Sequence, residues 1–199
     1  MVEDTCKGKY IGREKWVDIV KGISIVLVVY GHLIFSENFL CRWIYSFHIP
    51  IFFMISGILL SIKENWKEQN AKTIIIKKAK QIIYPYVIFS FLVLIYSMIM
   101  NHEKILEILQ KTILLEGYNT LWFLPCLFIA ECLFIVIQKN KINNIKAVLV
   151  LFLCTLLGTW LYNAFMTEQN NILNLIFRII NILNRSLVAT IFIFCGYIG

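Results

Sequence analysis

The chain has 199 residues, of which 59% are apolar or aromatic and 16% charged, with a mean hydropathy of +0.75 and a net charge of +7. A soluble domain of this size keeps too much surface in water to hide that apolar content, and ordinary soluble domains carry about 25% charged residues. Composition therefore excludes a soluble globular protein, a disordered chain and a collagen-like one, and leaves an integral membrane protein.

The basic excess has a simple source, because cytoplasmic loops of membrane proteins collect Lys and Arg. No nucleic-acid motif accompanies it, so no nucleic-acid partner is expected. Six cysteines are scattered with no CxxC pair, and four of them fall inside apolar runs. They read as small buried hydrophobes rather than a disulfide framework or a metal site.

Residues 1–16 mix Glu3, Asp4 and Glu14 with Lys7, Lys9, Arg13 and Lys15. The apolar run that follows is too long for a signal core and lacks a small-residue cleavage site, so it reads as a first span that stays. Six stretches approach the roughly 20 residues needed to cross a bilayer. They lie near 17–36, 43–62, 82–100, 119–138, 147–166 and 186–199. The expected fold is all-α, a polytopic transmembrane helical bundle forming a single domain over residues 1–199. The last stretch is short, which suggests the N-terminal part of a larger protein.

Loop charge sets the expected orientation. The tail and the 63–81 and 139–146 segments carry 13 basic residues, against 5 in the alternate segments. The positive-inside rule then puts the N-terminus in the cytoplasm, in a multi-pass protein of the plasma membrane. In Asn171–Arg185, polar residues recur at steps of 3 and 4 opposite an apolar side. That pattern predicts an amphipathic helix, either flat at the outer interface or packed as a connector.

The first span is unusually polar. Asp18, Lys21 and His32 fall on one stripe, with His32 roughly 16 Å beyond Lys21 along the axis. Intramembrane ionisable groups face a protein interior or a wet cavity. Two readings compete: a snorkelling Asp18–Lys21 boundary pair with His32 at the outer end, or a cavity in which His32 is a general base. The second span holds His48, then Pro50, which should break or kink the helix, and Ser56-Gly57, which suit close helix packing. His48 is a candidate for substrate binding or for support of His32.

Asp18-Ile-Val-Lys21-Gly22-Ile, Val28-Val29-Tyr30-Gly31-His32 and Phe47-His48-Ile49-Pro50-Ile51-Phe52-Phe53-Met54-Ile55-Ser56-Gly57 together resemble the start of the membrane acyltransferase 3 family. The likeness is closest to its fucose 4-O-acetylase-like branch of sugar O-acetyltransferases. Lys21 and His32 match the family's basic residue set ahead of a His in the first span. Tyr84-Pro85-Tyr86, Leu121-Trp122-Phe123-Leu124 and Phe192 to Gly196-Tyr197 are similar to later family segments. Family members have about ten spans, each needing roughly 20 residues.

The resemblance implies transfer of an acetyl or other acyl group from cytoplasmic acyl-CoA to a hydroxyl of a cell-surface carbohydrate or its lipid-linked precursor. Acetyl-CoA would be a donor substrate, with no bound cofactor and no metal. Such transfer needs a base for the hydroxyl proton and a positive environment for the oxyanion. Lys21 would orient the donor phosphates, His32 would deprotonate the acceptor, and Asp18 would hold Lys21. Ser56, Trp122 and Glu131 are further candidates for substrate binding. Glu131, deep in the fourth span, needs a partner or a proton. Trp122 reads as an interfacial anchor or a sugar-stacking platform. Lys77, Lys78 and Lys80 could meet CoA phosphates, although positive-inside placement already explains them. Tyr84 and Tyr86 read as interfacial belt residues. The rival classes are a small transporter or flippase-like protein and an inactive truncated fragment.

Overall fold

A computed structural model describes residues 15–33, 39–100, 105–165 and 171–199. They form seven α-helices, and no strand occurs among the described residues. In chain order these are α1 (Lys15–Leu33), α2 (Phe39–Ile62), α3 (Ala71–Met100), α4 (Ile105–Ile113), α5 (Phe123–Lys139), α6 (Asn144–Phe165) and α7 (Asn171–Ile198). Short 3-10 turns at Glu64–Trp66 and Asn119–Trp122 lead towards α3 and into α5.

Among the described residues, four stretches are long and apolar enough to cross a membrane: Ala71–Met100, Thr120–Lys139, Asn144–Asn163 and Leu175–Ile198. Large apolar side chains such as Phe89, Phe91 and Tyr96 on α3 and Phe152 and Trp160 on α6 are exposed. A soluble protein rarely leaves such continuous apolar surface uncovered. The chain is a helical membrane protein. The stretches expected at 17–36 and 43–62 correspond to α1 and α2, and both include residues outside the described set.

Helix starts are set locally. Asn70 Oδ1 accepts from Lys72 N at 3.2 Å and caps α3, and Asn143 Oδ1 accepts from Ile145 N at 2.9 Å and caps α6. Because Asn70 starts α3, Lys72, Lys77, Lys78 and Lys80 lie on a helix rather than in a loop. The expected 63–81 loop shrinks to residues 63–70. Pro50 does not break α2, which runs through it, as membrane helices tolerate.

The amphipathic segment and the final stretch form one continuous helix, α7, rather than a flat helix followed by a short span. Helix α7 packs against α2, α5 and α6. Its contact with α2 is backbone to backbone: a Cβ on Gly57 would stand 2.0 Å from Ile193 O, and one on Gly196 would stand 2.0 Å from Met54 O. Phe134 sits at the centre of the core, with ring centroids 4.8 Å from Phe194, 5.0 Å from Tyr197 and 6.0 Å from Trp66. Tyr86 is no belt residue: it is buried, and its hydroxyl donates to Thr112 O at 3.1 Å, tying α3 to the last turn of α4. Tyr84 is exposed.

Candidate functional site

Helices α2, α3 and α5 converge at their lysine-rich ends around a cavity of about 980 Å³. Lys63, Asn65 and Lys77 line it and are exposed, with Gln69 half-buried beside them, so that end is its mouth, and Phe52 and Phe123 are its farthest wall residues on α2 and α5. Between mouth and end lie Ser56, Lys78 and Glu131. Ser56 is six residues from the end of α2, Lys78 seven residues into α3 and Glu131 eight residues from the end of α5. At the helical rise per residue this places all three ~9–12 Å below the rim.

The three form one network. Lys78 Nζ stands 3.0 Å from Glu131 Oε2, and Ser56 Oγ donates to Glu131 Oε1. The lysine contact is an ion pair whose angle falls outside hydrogen-bond geometry, so Oε2 has an electrostatic partner but no hydrogen bond. The Glu131 side chain is 4% exposed and that of Lys78 22%. A carboxylate this deep is costly unless a cation accompanies it, and Lys78 is that cation.

The 63–70 turn is fastened over the mouth. Trp66 is buried and its Nε1 donates to Leu60 O at 2.8 Å. From α5, Lys139 Nζ donates to Lys67 O and Gln69 O, both at 2.6 Å. Lys77 Nζ donates to Gln69 Oε1 at 2.7 Å. Glu64 accepts from Lys67 at 2.6 Å and holds its ammonium above the ordinary lysine range. The mouth is therefore lysine-rich and built on a fixed turn.

At the far end, the Phe123 ring lies 5.4 Å from Phe52, edge to face, and 5.1 Å from Phe53. Such pairs are favourable and hold the ring in place. Beyond them, Trp122 lies under the guanidinium of Arg185 at 5.2 Å, a cation–π contact. Arg178 Nε donates to Glu116 Oε2 at 2.9 Å. Glu116 is presented by a tight turn in which Gly117 has φ +72° and a Cβ would stand 2.3 Å from Trp122 N.

Of the seven residues singled out in the sequence, the structure brings Ser56 and Glu131 together. Trp122 lies outside the cavity wall, and Arg185 covers its ring. Asp18 is half-buried in the first turn of α1, which contributes nothing to the cavity wall among the described residues. The side chains of Lys21, His32 and His48 lie outside the described residues. For Lys78 the sequence offers contact with CoA phosphates or plain positive-inside placement, not a buried ion pair, and for Lys63 and Trp66 nothing beyond loop charge and composition. Glu131's need for a partner was the available signal for Lys78.

Comparisons with known proteins point one way. A family profile described as an acyltransferase domain matches residues 14–199. The nodulation protein NolL of Sinorhizobium fredii is 40% identical over 67 residues, which span 29% of this chain and 18% of that protein. The matched part is thus less than a fifth of that relative's length. No solved structure matches the chain.

Proposed function

Because the chain belongs to the acyltransferase 3 family, we propose that it is a membrane O-acyltransferase whose donor enters the cavity between α2, α3 and α5. The donor is acyl-CoA and the acceptor is a carbohydrate hydroxyl on the cell surface or on a lipid-linked precursor. The sugar-transferring branch rests on the motifs of α1 and α2. The carrying observation is the cavity's gradient, from a lysine mouth through a buried ion pair to an aromatic end.

An acyl-CoA has matching polarity: phosphates at one end, a long amide-bearing arm, and a small apolar acyl thioester at the other. Lys63 and Lys77 at the mouth meet the phosphates as point charges. Lys78, tethered by Glu131, is a third cation one layer deeper. The arm lies along the wall, where Pro85 leaves the Gln81 carbonyl of α3 without its helical N–H and open to an amide donor. From Lys63, just past the end of α2, to Phe52 the cavity spans eleven residues, ~16 Å by helical rise. The thioester then arrives near the aromatic end.

His48 lies one turn before Phe52 on α2, away from the lysines, and His32 lies near the same end of the adjoining α1. In this reading His32 takes the proton of the acceptor hydroxyl while its oxygen bonds to the acyl carbon. The carbon–sulfur bond breaks, and the proton passes to the departing thiolate to give free CoA thiol. Asp18 and Lys21, one turn apart on α1, support the donor side of that helix. The lysine-rich end faces the cytoplasm, where acyl-CoA is found.

The test is acyl transfer by the purified chain in nanodiscs, with labelled acetyl-CoA and pooled surface glycans. Thiol release matched by label on the glycans, and lost in His32→Ala of unchanged fold, supports the assignment. Transport of a solute without thiol release would support the transporter class instead.

A further inference from the structure

We infer that the Phe52–Phe123 pair is the acyl-length stop of this enzyme, restricting the donor to short acyl groups. The inference rests on the donor reading above, because it assigns the end of the same cavity. Phe52 and Phe123 are the wall residues farthest from the lysines on their helices. Their rings meet at 5.4 Å and 61°, edge to face. Phe123 is backed by the buried Phe53 at 5.1 Å, so its ring cannot swing away on that side without displacing core. It also opens α5, immediately after the Asn119–Trp122 turn, where the backbone is fixed by its own hydrogen bonds. A short acyl group ends against these rings. Each further methylene needs volume that they fill.

The chemistry is unchanged by chain length. The acceptor oxygen bonds to the acyl carbon, the carbon–sulfur bond breaks, and the hydroxyl proton ends on the CoA sulfur. Only the space behind the carbonyl differs. Removing a ring should therefore alter donor choice rather than the reaction itself.

The experiment measures kcat/KM for acetyl-, butyryl- and hexanoyl-CoA by thiol release from the full chain in nanodiscs. Phe123→Ala and Phe52→Leu enlarge the end, and Phe123→Trp shrinks it. Phe89→Ala, an exposed ring on α3 away from the cavity, is the control. Each methylene newly accommodated is worth about fourfold, so Phe123→Ala should raise the hexanoyl-to-acetyl ratio by at least about tenfold. Phe52→Leu should move it the same way and Phe123→Trp should lower the butyryl-to-acetyl ratio. Should Phe123→Ala not fold, the other two variants read the same preference in opposite directions. Wild-type turnover with chain preference unmoved in the folded variants overturns the inference alone. No thiol release from wild type with any donor overturns the donor reading and this inference with it.

Discussion

Lys78 on α3 and Glu131 on α5 meet 3.0 Å apart inside the bundle, and Ser56 of α2 donates to the same carboxylate. One carboxylate thus joins three helices around the cavity. Removing one member of a buried pair strands the other, at about 3–5 kcal/mol, and the partial exposure of Lys78 lowers this to about 2–4 kcal/mol. Lys78→Met should therefore destabilise strongly. Lys78→Met combined with Glu131→Gln should recover most of that loss, while donor turnover stays low. Thermal unfolding in detergent and thiol release read the two effects separately. A double variant no more stable than Lys78→Met would contradict the pairing.

The crossing of α2 on α7 depends on two glycines. A methyl at Gly57 or Gly196 would stand 2.0 Å from a carbonyl oxygen of the facing helix. Backbone cannot yield as a side-chain end can, so Gly57→Ala and Gly196→Ala should each cost at least about 2 kcal/mol through overpacking. At Gly22 a Cβ meets nothing within 4 Å among the described residues. Gly22→Ala should be neutral or more stable by about 0.5–1 kcal/mol, because alanine suits a helix interior better. Melting temperatures of the three variants check the contrast.

The apolar runs made most of the helices legible, and the unusual ones were hidden by their composition. Helix α3 was read from residue 82 because Lys72, Lys77, Lys78 and Lys80 depress the hydropathy of its first three turns. The cap at Asn70 is the signal that marks its true start. Helix α4 is nine residues long, too short to show as an apolar run of span length. Amphipathic and wholly apolar halves looked like two elements, yet no Gly or Pro separates them, and α7 runs straight through. At the site, Glu131 was conspicuous because a carboxylate in a span demands a partner. Its partner is 53 residues earlier, where a lysine has an adequate explanation in loop charge. Local pattern carries no information about such pairing.

The mouth lysines should act on donor affinity rather than on the chemical step. Lys63→Ala and Lys77→Ala should each raise the KM for acetyl-CoA about two- to fivefold with little change in kcat, as expected for exposed charges. The effect should shrink as salt is raised, because exposed charges are screened. Lys72→Ala, on the same helix and outside the cavity wall, is the comparison. Initial rates at low and high salt test all three.

The fastened 63–70 turn makes its own prediction. Lys139→Ala removes two hydrogen bonds to that turn, and Trp66→Phe removes the one to Leu60 O. Each lost bond is worth about 1 kcal/mol. Hydrogen exchange in residues 63–70 should quicken in both variants, while α7 keeps its protection. Equal quickening across the whole chain would show that the turn is not a separate local unit.

The most direct measurement maps where the donor sits. A photoreactive acyl-CoA analogue is crosslinked to the chain in nanodiscs, with and without excess acetyl-CoA, and the labelled peptides are identified by mass spectrometry. Acetyl-CoA-protected label is expected on the cavity-facing segments of α2, α3 and α5, around Ser56, Lys78 and Phe123. Protected label confined to α1 around Lys21, or label that acetyl-CoA does not displace, would contradict it.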